Sequence, residues 1–208
     1  MKTVLCFGDS NTYGLIPGTK DRYEESVRWT GLLADKVRNK GYRVVEEGLV
    51  GRTTIFSDDL RPGRKGSDLL PVLLESHGPV DTVVLMLGTN DCKTVYSASA
   101  EVIGRGIEKL LDQIRSFGNG IRVILVSPIL LGEEVWKIQY DPEFGKASVE
   151  VSKELKRVYQ QISEKYGCEF LAASDVADPS DDDQEHLTPA GHAAIATAIL
   201  KVISGKAV

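Results

Sequence analysis

The segment DTVVLMLG at residues 81–88 constrains the fold more than any other part of this chain. It is an uninterrupted apolar run, which is typical of a strand that is buried on both faces of a parallel sheet. Four further apolar runs predict strands along the chain. The predicted strands are residues 3–7, 43–46, 81–88, 121–127 and 168–173.

Stretches with helical spacing separate these strands, so strand and helix alternate along the chain. The predicted helices are 26–40, 67–77, 99–117, 147–166 and a last helix that begins at Pro189. Ser26 is the expected N-cap of the first and Gly41 its stop, and Pro71 is expected in the first turn of the second. Thr188 is the expected N-cap of the last helix, with Pro189 at its first position. Alternation implies right-handed crossovers and a parallel, doubly wound sheet with helices on both faces. We expect residues 1–208 to form one α/β domain.

Composition excludes several classes of function. The formal net charge is -5 and no basic block offsets it, which argues against binding to nucleic acid or to an anionic membrane surface. No apolar run is long enough to cross a membrane. The first apolar stretch is cut by Gly8 and Asp9, which is unlike a secretory signal, so we expect a cytoplasmic protein. The three widely spaced cysteines are then expected to be free thiols.

Four long irregular segments carry the polar clusters of this chain. Each of them begins where a predicted strand ends, and in an open parallel sheet the ligand crevice lies outside the carboxyl ends of the strands. Loops of this length inside a compact domain are usually functional. The segments are 9–25, 48–66, 128–146 and 174–187.

Ser10, in the turn after the first strand, is the candidate nucleophile. A serine hydroxyl needs a base that takes its proton and a carboxylate that orients this base. His186 is the candidate base because it lies in the last long loop, with Asp183 three residues upstream to orient it. His77 is expected at the surface, and His192 is expected to pack inside the last helix.

A serine that attacks a carbonyl group also needs donors for the oxygen that becomes negative in the tetrahedral intermediate. Three groups are candidates: the backbone N–H of Ser10, the backbone N–H of Gly51, and the side-chain amide of Asn90. Gly51 has no side chain, so a substrate can approach its backbone closely.

Four blocks of this sequence resemble, in order, the signature blocks of the SGNH (GDSL-type) hydrolase family. They are Gly8-Asp9-Ser10, the block that ends at Gly51, Gly88-Thr89-Asn90-Asp91, and Asp183-x-x-His186. The resemblance implies a flavodoxin-like, three-layer α/β/α fold and ester hydrolysis without metal or organic cofactor. It also implies that Ser10 is the nucleophile, His186 the base and Asp183 its orienting residue, with Gly51 and Asn90 as oxyanion donors.

The segments VLCFGDS, RWTGLLA, EEGLVGRTT and LMLGTNDCK are similar to the bacterial aryl-esterase and acyltransferase branch of this family. This likeness implies activity on short-chain acyl esters, with transfer of acyl groups to alcohols in some members. It also implies a homo-oligomer. Trp136 and Tyr140, in the loop after the fourth strand, are either a pocket wall or a subunit contact.

The sequence departs from the family pattern at several positions near the predicted site. Asn11 replaces a common Leu, Gln184 replaces the usual Gly between Asp and His, and Glu46-Glu47 stands where many members have Asn. The substrate pocket is predicted to be lined by Asp9, Asn11, Val50 and Glu185. A pocket of this polarity favours small or polar acyl esters, such as acetyl groups on sugars.

Other functions fit parts of the pattern. Within the same family the alternatives are a carbohydrate acetylesterase, a thioesterase or a lysophospholipase. Asp9-Ser10-Asn11-Thr12 also bears a superficial likeness to the nucleophile motif of Mg²⁺-dependent phosphatases, with residues 181–183 as metal ligands. A flavodoxin-like binding module is a further alternative, although the loop after the first strand lacks a glycine-rich phosphate-binding pattern.

Overall fold

The protein folds around a five-stranded sheet in which all neighbouring strands are parallel. The computed structural model describes residues 1–118 and 120–205; residues 119 and 206–208, which the predicted domain includes, lie outside the described residues. The strands, in the spatial order β2-β1-β3-β4-β5, are β1 Lys2–Gly8, β2 Tyr42–Gly48, β3 Thr82–Met86, β4 Arg122–Ser127 and β5 Glu169–Ala172.

Helices cover both faces of this sheet, so the predicted doubly wound, three-layer α/β/α architecture is confirmed. One face packs against α3, α4 and α5, and the other face packs against α2 and α6. None of the helices within 1–118 and 120–205 has the length and apolar character needed to cross a membrane. The helices are α1 Ser10–Tyr13, α2 Trp29–Arg38, α3 Gly66–Ser76, α4 Ala100–Phe117, α5 Lys146–Tyr166 and α6 Pro189–Ile203.

The two faces of the sheet form two separate apolar cores. In β1, Leu5 and Phe7 pack toward one helix layer, whereas Val4 and Cys6 pack toward the other. The five residues of β3 are all buried, as the apolar run predicts. Trp29 is fully buried in the core on the side of the sheet covered by α2 and α6. This rigid double core fixes the carboxyl ends of the strands, where the candidate site lies.

Helix α2 is shorter at both ends than the predicted 26–40. It begins at Trp29, because the N–H groups of Val27 and Arg28 bond to Glu24 in a turn before the helix, and Ser26 is not its cap. At the other end the helix stops at Arg38, and residues 39–41 form the exit turn.

Pro71 was expected in the first turn of its helix but lies deeper in α3, which begins at Gly66. A proline has no N–H, so the carbonyl of Ser67, four residues earlier, loses its helical donor. The side chain of Gln113 replaces that donor, with Nε2 at 2.7 Å from the carbonyl oxygen. A contact from α4 therefore allows a proline that local sequence rules place nearer the helix start.

Candidate active site

Strand β1 runs directly into the turn that carries Ser10. Asp9 caps the four-residue helix α1 by accepting a hydrogen bond at Oδ1 from the N–H of Asn11 (3.0 Å). Gly8 is needed before it, because a Cβ atom there would lie 2.0 Å from Oγ1 of Thr12. The sequence did not predict α1, since four residues carry no periodic pattern. Ser10 is the first residue of this helix, where backbone N–H groups have no intrahelical acceptor.

The structure brings the three predicted triad residues together. Nε2 of His186 lies 2.8 Å from Oγ of Ser10, and Nδ1 of His186 lies 2.7 Å from Oδ2 of Asp183. Ser10 and His186 are both buried, at 1% and 6% exposure. A chain of hydrogen bonds therefore connects Ser10, after the end of β1, to His186 and Asp183 in the turn that precedes α6.

Asp183 is held by several donors besides His186. Its Oδ1 accepts from the backbone N–H groups of Glu185 (3.0 Å) and His186 (2.9 Å), and its Oδ2 accepts from the N–H of Gly18 (2.9 Å). Burial alone would raise the pKa of Asp183, but these bonds and the nearby imidazole lower it to about 2. The carboxylate is therefore ionised at neutral pH.

Gln184 occupies a backbone conformation that favours glycine, with φ of 64°. This explains why glycine is common at this position in the family pattern. Gln184 packs against Gly132: the N–H of Gly132 donates to the carbonyl of Gln184 (2.8 Å), and a Cβ at position 132 would lie 2.2 Å from Oε1 of Gln184. The loop after β4 thus supports the turn of residues 183–187 that carries Asp183 and His186, which is called the triad turn below.

Asn11, which the sequence predicts for the substrate pocket, bonds to the triad turn. Its Oδ1 accepts from the N–H of Leu187 (2.9 Å), and its Nδ2 donates to the carbonyl of Glu185 (3.3 Å). Asn11 is only 4% exposed. Its replacement of the common Leu therefore links the nucleophile turn to the backbone on both sides of His186.

The other three predicted pocket residues differ in their surroundings. Asp9 is 1% exposed, and burial raises its pKa to about 7. Val50 is half-buried, and its carbonyl accepts a hydrogen bond from Nε of Arg64 (3.2 Å). Glu185 is 6% exposed, with Oε1 at 3.8 Å from Nε2 of His186. Among these three, Glu185 has its side chain beside the candidate triad.

The two loops that carry Gly51 and Asn90 are bonded to each other. Nδ2 of Asn90 donates to the carbonyl of Arg52 (3.1 Å), which leaves its second amide hydrogen for another acceptor. The carboxylate of Asp91 accepts from the N–H of Thr54 (3.0 Å). Gly51 has φ of 81°, a left-handed conformation that suits glycine. These contacts hold the predicted oxyanion donors in fixed positions.

Neither of the other two histidines, His77 and His192, forms a hydrogen bond with Ser10 among the described residues. His192 is buried, and its Nδ1 accepts from the N–H of Trp29 (3.3 Å), so the prediction that it packs inside the protein is confirmed. His77 is half-buried rather than at the surface, because its Nε2 pairs with Oε1 of Glu47 (2.7 Å).

The neighbouring Glu46 accepts from Nε and Nη2 of Arg28, at 2.9 Å each. Both glutamates of the Glu46-Glu47 departure are thus in structural pairs.

Carboxyl groups set the electrostatics around His186. Burial alone would lower the pKa of this imidazole, but the charges of Glu185, Asp183 and Asp9 and the hydrogen bond that the imidazole donates to Asp183 raise it to about 9. Burial raises the pKa of Glu185 as well. The site therefore favours a protonated imidazole more than an exposed histidine does.

The sequence did not predict two groups that support the candidate site, Gly18 and Asp91. Gly18 donates to Asp183 from a loop 165 residues away, and nothing in the local sequence of Gly18 indicates this role. Asp91 follows Asn90 directly, so its position beside a candidate donor was the available signal for a supporting role. Both groups act through contacts that only the folded chain creates.

Comparison with known proteins identifies the family. The sequence profile of the GDSL-like lipase/acylhydrolase family matches residues 6–194, which include all four signature blocks. The chain belongs to this family. As an SGNH hydrolase it falls among the carboxylic ester hydrolases. No curated protein matches the chain by sequence.

Solved structures agree with this assignment to the SGNH family. Est24, a carbohydrate acetylesterase from Sinorhizobium meliloti, is 34% identical, with 99% of each chain covered and a TM-score of 0.90. The native aryl esterase of M. smegmatis is 30% identical, with 100% of each chain covered and a TM-score of 0.90. A second carbohydrate acetylesterase family member from Sinorhizobium meliloti is 30% identical, covers 99% of this chain and 100% of its own, and has a TM-score of 0.87.

Proposed function

We propose that this SGNH hydrolase is a serine esterase that cleaves short-chain acyl esters through an acyl-enzyme on Ser10. The observation that carries the proposal is the line of hydrogen bonds from Ser10 Oγ to His186 (2.8 Å) and from His186 to Asp183 (2.7 Å). A base that contacts the hydroxyl and is itself oriented by a carboxylate is what activates a serine.

In the proposed reaction, Oγ of Ser10 attacks the carbonyl carbon while Nε2 of His186 takes the hydroxyl proton. The carbonyl electron pair moves onto its oxygen, and its return expels the alcohol, which takes the proton from Nε2. Water then attacks the acyl-enzyme by the same route, which releases the carboxylic acid and restores Ser10. An alcohol in place of water gives acyl transfer.

The negative oxygen of the intermediate is proposed to bind the N–H groups of Ser10 and Gly51 and the amide of Asn90. The bond from Asn90 to the carbonyl of Arg52 supports this role, because it orients the amide before a substrate arrives. Loss of one such donor costs about 2.7–4 kcal/mol of transition-state stabilisation. The proposed site thus contains every group that acyl transfer requires.

Carbohydrate acetyl esters are the second candidate substrate class. Two observations favour them over simple aryl or alkyl esters. The chain is 34% identical to Est24, a carbohydrate acetylesterase, over 99% of both chains. The carboxylate of Glu185 lies 3.8 Å from Nε2 of His186, so the space beside the base is polar.

Hydrolysis of p-nitrophenyl acetate, butyrate and octanoate by wild type and by Ser10→Ala tests the proposal. We expect activity to be highest on acetate, to persist in EDTA, and to fall on the order of a thousandfold or more in Ser10→Ala. Equal activity of the two proteins would refute the acyl-enzyme on Ser10. A steep rise in kcat/KM from acetate to octanoate would refute the preference for short acyl chains.

The geometry disfavours the phosphatase alternative. Asp9 would be the nucleophile of that reaction, yet it is 1% exposed and its Oδ1 caps helix α1. Asp183, one of the three proposed metal ligands, is bonded to His186 and to three backbone N–H groups. Loss of activity in EDTA would favour the phosphatase.

A further inference from the structure

The carboxylate of Glu185 lies beside the reacting atoms, but the proposed ester hydrolysis gives it no task. Its Oε1 is 3.8 Å from Nε2 of His186, beyond hydrogen-bond distance, while Oγ of Ser10 lies 2.8 Å from the same nitrogen. The backbone of Glu185 is fixed on both sides, by Asp183 and by Asn11. The fold therefore determines where the backbone of Glu185 lies, directly before His186.

Among the described residues, the side-chain oxygens of Glu185 accept no hydrogen bond. The side chain nevertheless keeps only 7% of its accessible surface. Burial of this carboxyl group is costly, because the group loses most of its hydration and the attraction of the His186 imidazole at 3.8 Å supplies no hydrogen bond in return. A hydrogen-bonding group from a ligand would remove this cost.

The charged neighbours of Glu185 do not supply that partner. Lys93 is the nearby ammonium group, but it is paired with Glu143. The imidazole of His186 is bonded to Ser10 and Asp183, and the carboxylates of Asp183 and Asp141 repel the charge of Glu185. A neutral hydroxyl fits this environment, since it donates to a carboxylate and accepts from a carboxylic acid.

The position of Glu185 indicates which part of the substrate it meets. Nε2 of His186 delivers its proton to the oxygen of the leaving alcohol, so a group beside Nε2 faces the alcohol portion of the ester. A hydroxyl on the carbon next to the ester-bearing carbon lies close to that oxygen. Such a hydroxyl is present in partly acylated polyols and sugars and absent from esters of simple alcohols.

We propose that Glu185 is a specificity-determining residue that hydrogen-bonds a hydroxyl on the alcohol portion of the substrate, so that the enzyme favours acyl esters of polyols. The proposal rests on the esterase function proposed above and narrows its substrate class. It also assigns a role to Glu185, a residue of the triad turn that is neither the proposed base nor its orienting carboxylate.

A matched pair of acetates tests the proposal: 2-hydroxyethyl acetate, which carries the neighbouring hydroxyl, and n-propyl acetate, in which a methyl group replaces it. The measured quantity is the ratio of their kcat/KM values. For wild type we expect a ratio of about ten or more, which corresponds to about 1.4 kcal/mol. Glu185→Leu should bring the ratio close to one, and Glu185→Gln should keep part of it because an amide also hydrogen-bonds a hydroxyl.

The control is Glu133→Gln, an exposed glutamate that pairs with Lys153, and it should keep the wild-type ratio. A wild-type ratio near one, or an unchanged ratio in Glu185→Leu, overturns the role of Glu185 while cleavage of p-nitrophenyl acetate leaves the esterase function standing. Where Glu185→Leu fails to fold, the ratio of the conservative Glu185→Gln variant decides the matter, because an unchanged ratio there also overturns the role of Glu185. A folded wild type that cleaves none of the three esters overturns the esterase function, and the role of Glu185 with it.

Discussion

At the scale of the residue, His186 is surrounded by more negative charge than its proposed task requires. Only Asp183 is needed to orient it, yet Glu185 and Asp9 add their fields, and together they raise its pKa to about 9. The proposed base is the neutral imidazole, so kcat/KM rises as the pH increases through this pKa. We therefore expect the acidic limb to lie well above about 6.5, the value of an unperturbed imidazole.

A pH profile of kcat/KM with p-nitrophenyl acetate measures this limb. Glu185→Gln removes a negative charge beside the imidazole, so it should move the limb to lower pH, whereas Glu133→Gln should leave it in place. A wild-type limb near about 6.5 that does not respond to Glu185→Gln would contradict the electrostatic account. A limb near about 4 would implicate a carboxylate as the base instead.

At the scale of the element, the loop after β4 and the turn before α6 are coupled through Gly132 and Gln184. A methyl group at position 132 would collide with the Gln184 side chain, since its Cβ would lie 2.2 Å from Oε1. Gly132→Ala should therefore displace the triad turn and lower kcat/KM by about ten- to a hundredfold. Adding Gln184→Gly removes the colliding side chain and suits the left-handed backbone, so the double variant should recover most of the activity.

A double-mutant cycle on kcat/KM, with thermal unfolding as a parallel readout, checks this coupling. The Gln184→Gly single variant is the matched control. Additive effects of the two substitutions would show that the contact does not position the triad turn.

The elements show which parts of this protein local sequence can predict. Residues 81–88 identify a strand by composition alone, and clusters at strand ends identify the crevice, because parallel strands bring their carboxyl ends to one edge. The sequence could not predict the position of Pro71 in α3, which depends on Gln113 of another helix. Nor could it predict that Asn11 bonds to the backbone around His186, more than 170 residues away. Those features depend on contacts that form only in the folded chain.

At the scale of the whole molecule, three exposed apolar side chains lie on loops at the edge of the sheet that carries Ser10. Leu60, Val95 and Ile138 follow β2, β3 and β4 and are 86%, 77% and 84% exposed. Trp136, by contrast, packs against the core on the side of the sheet covered by α3, α4 and α5, with the ammonium of Lys146 at 4.8 Å from its ring centre. We propose that the three exposed side chains meet a second copy of the chain, in line with the expected homo-oligomer.

Light scattering coupled to size-exclusion chromatography measures this assembly. We expect wild type to elute as an oligomer and a variant with serine at positions 60, 95 and 138 to shift toward the monomer while it remains folded. The exposed Val72 on α3 is the control, and its replacement by serine should leave the assembly unchanged. A monomeric wild type at micromolar concentration would contradict the proposal.

The distance along the chain between Ser10 and His186 has a consequence for biosynthesis. The nucleophile turn, Gly51 and Asn90 all belong to the first half of the chain, whereas the histidine follows Ser10 by 176 residues. A nascent chain that has emerged as far as β4 already carries the proposed nucleophile and the proposed oxyanion donors, but not the proposed base. On the proposed mechanism, turnover begins only when the turn that carries His186 docks against Ser10, so we expect activity during synthesis only after nearly the whole chain has emerged.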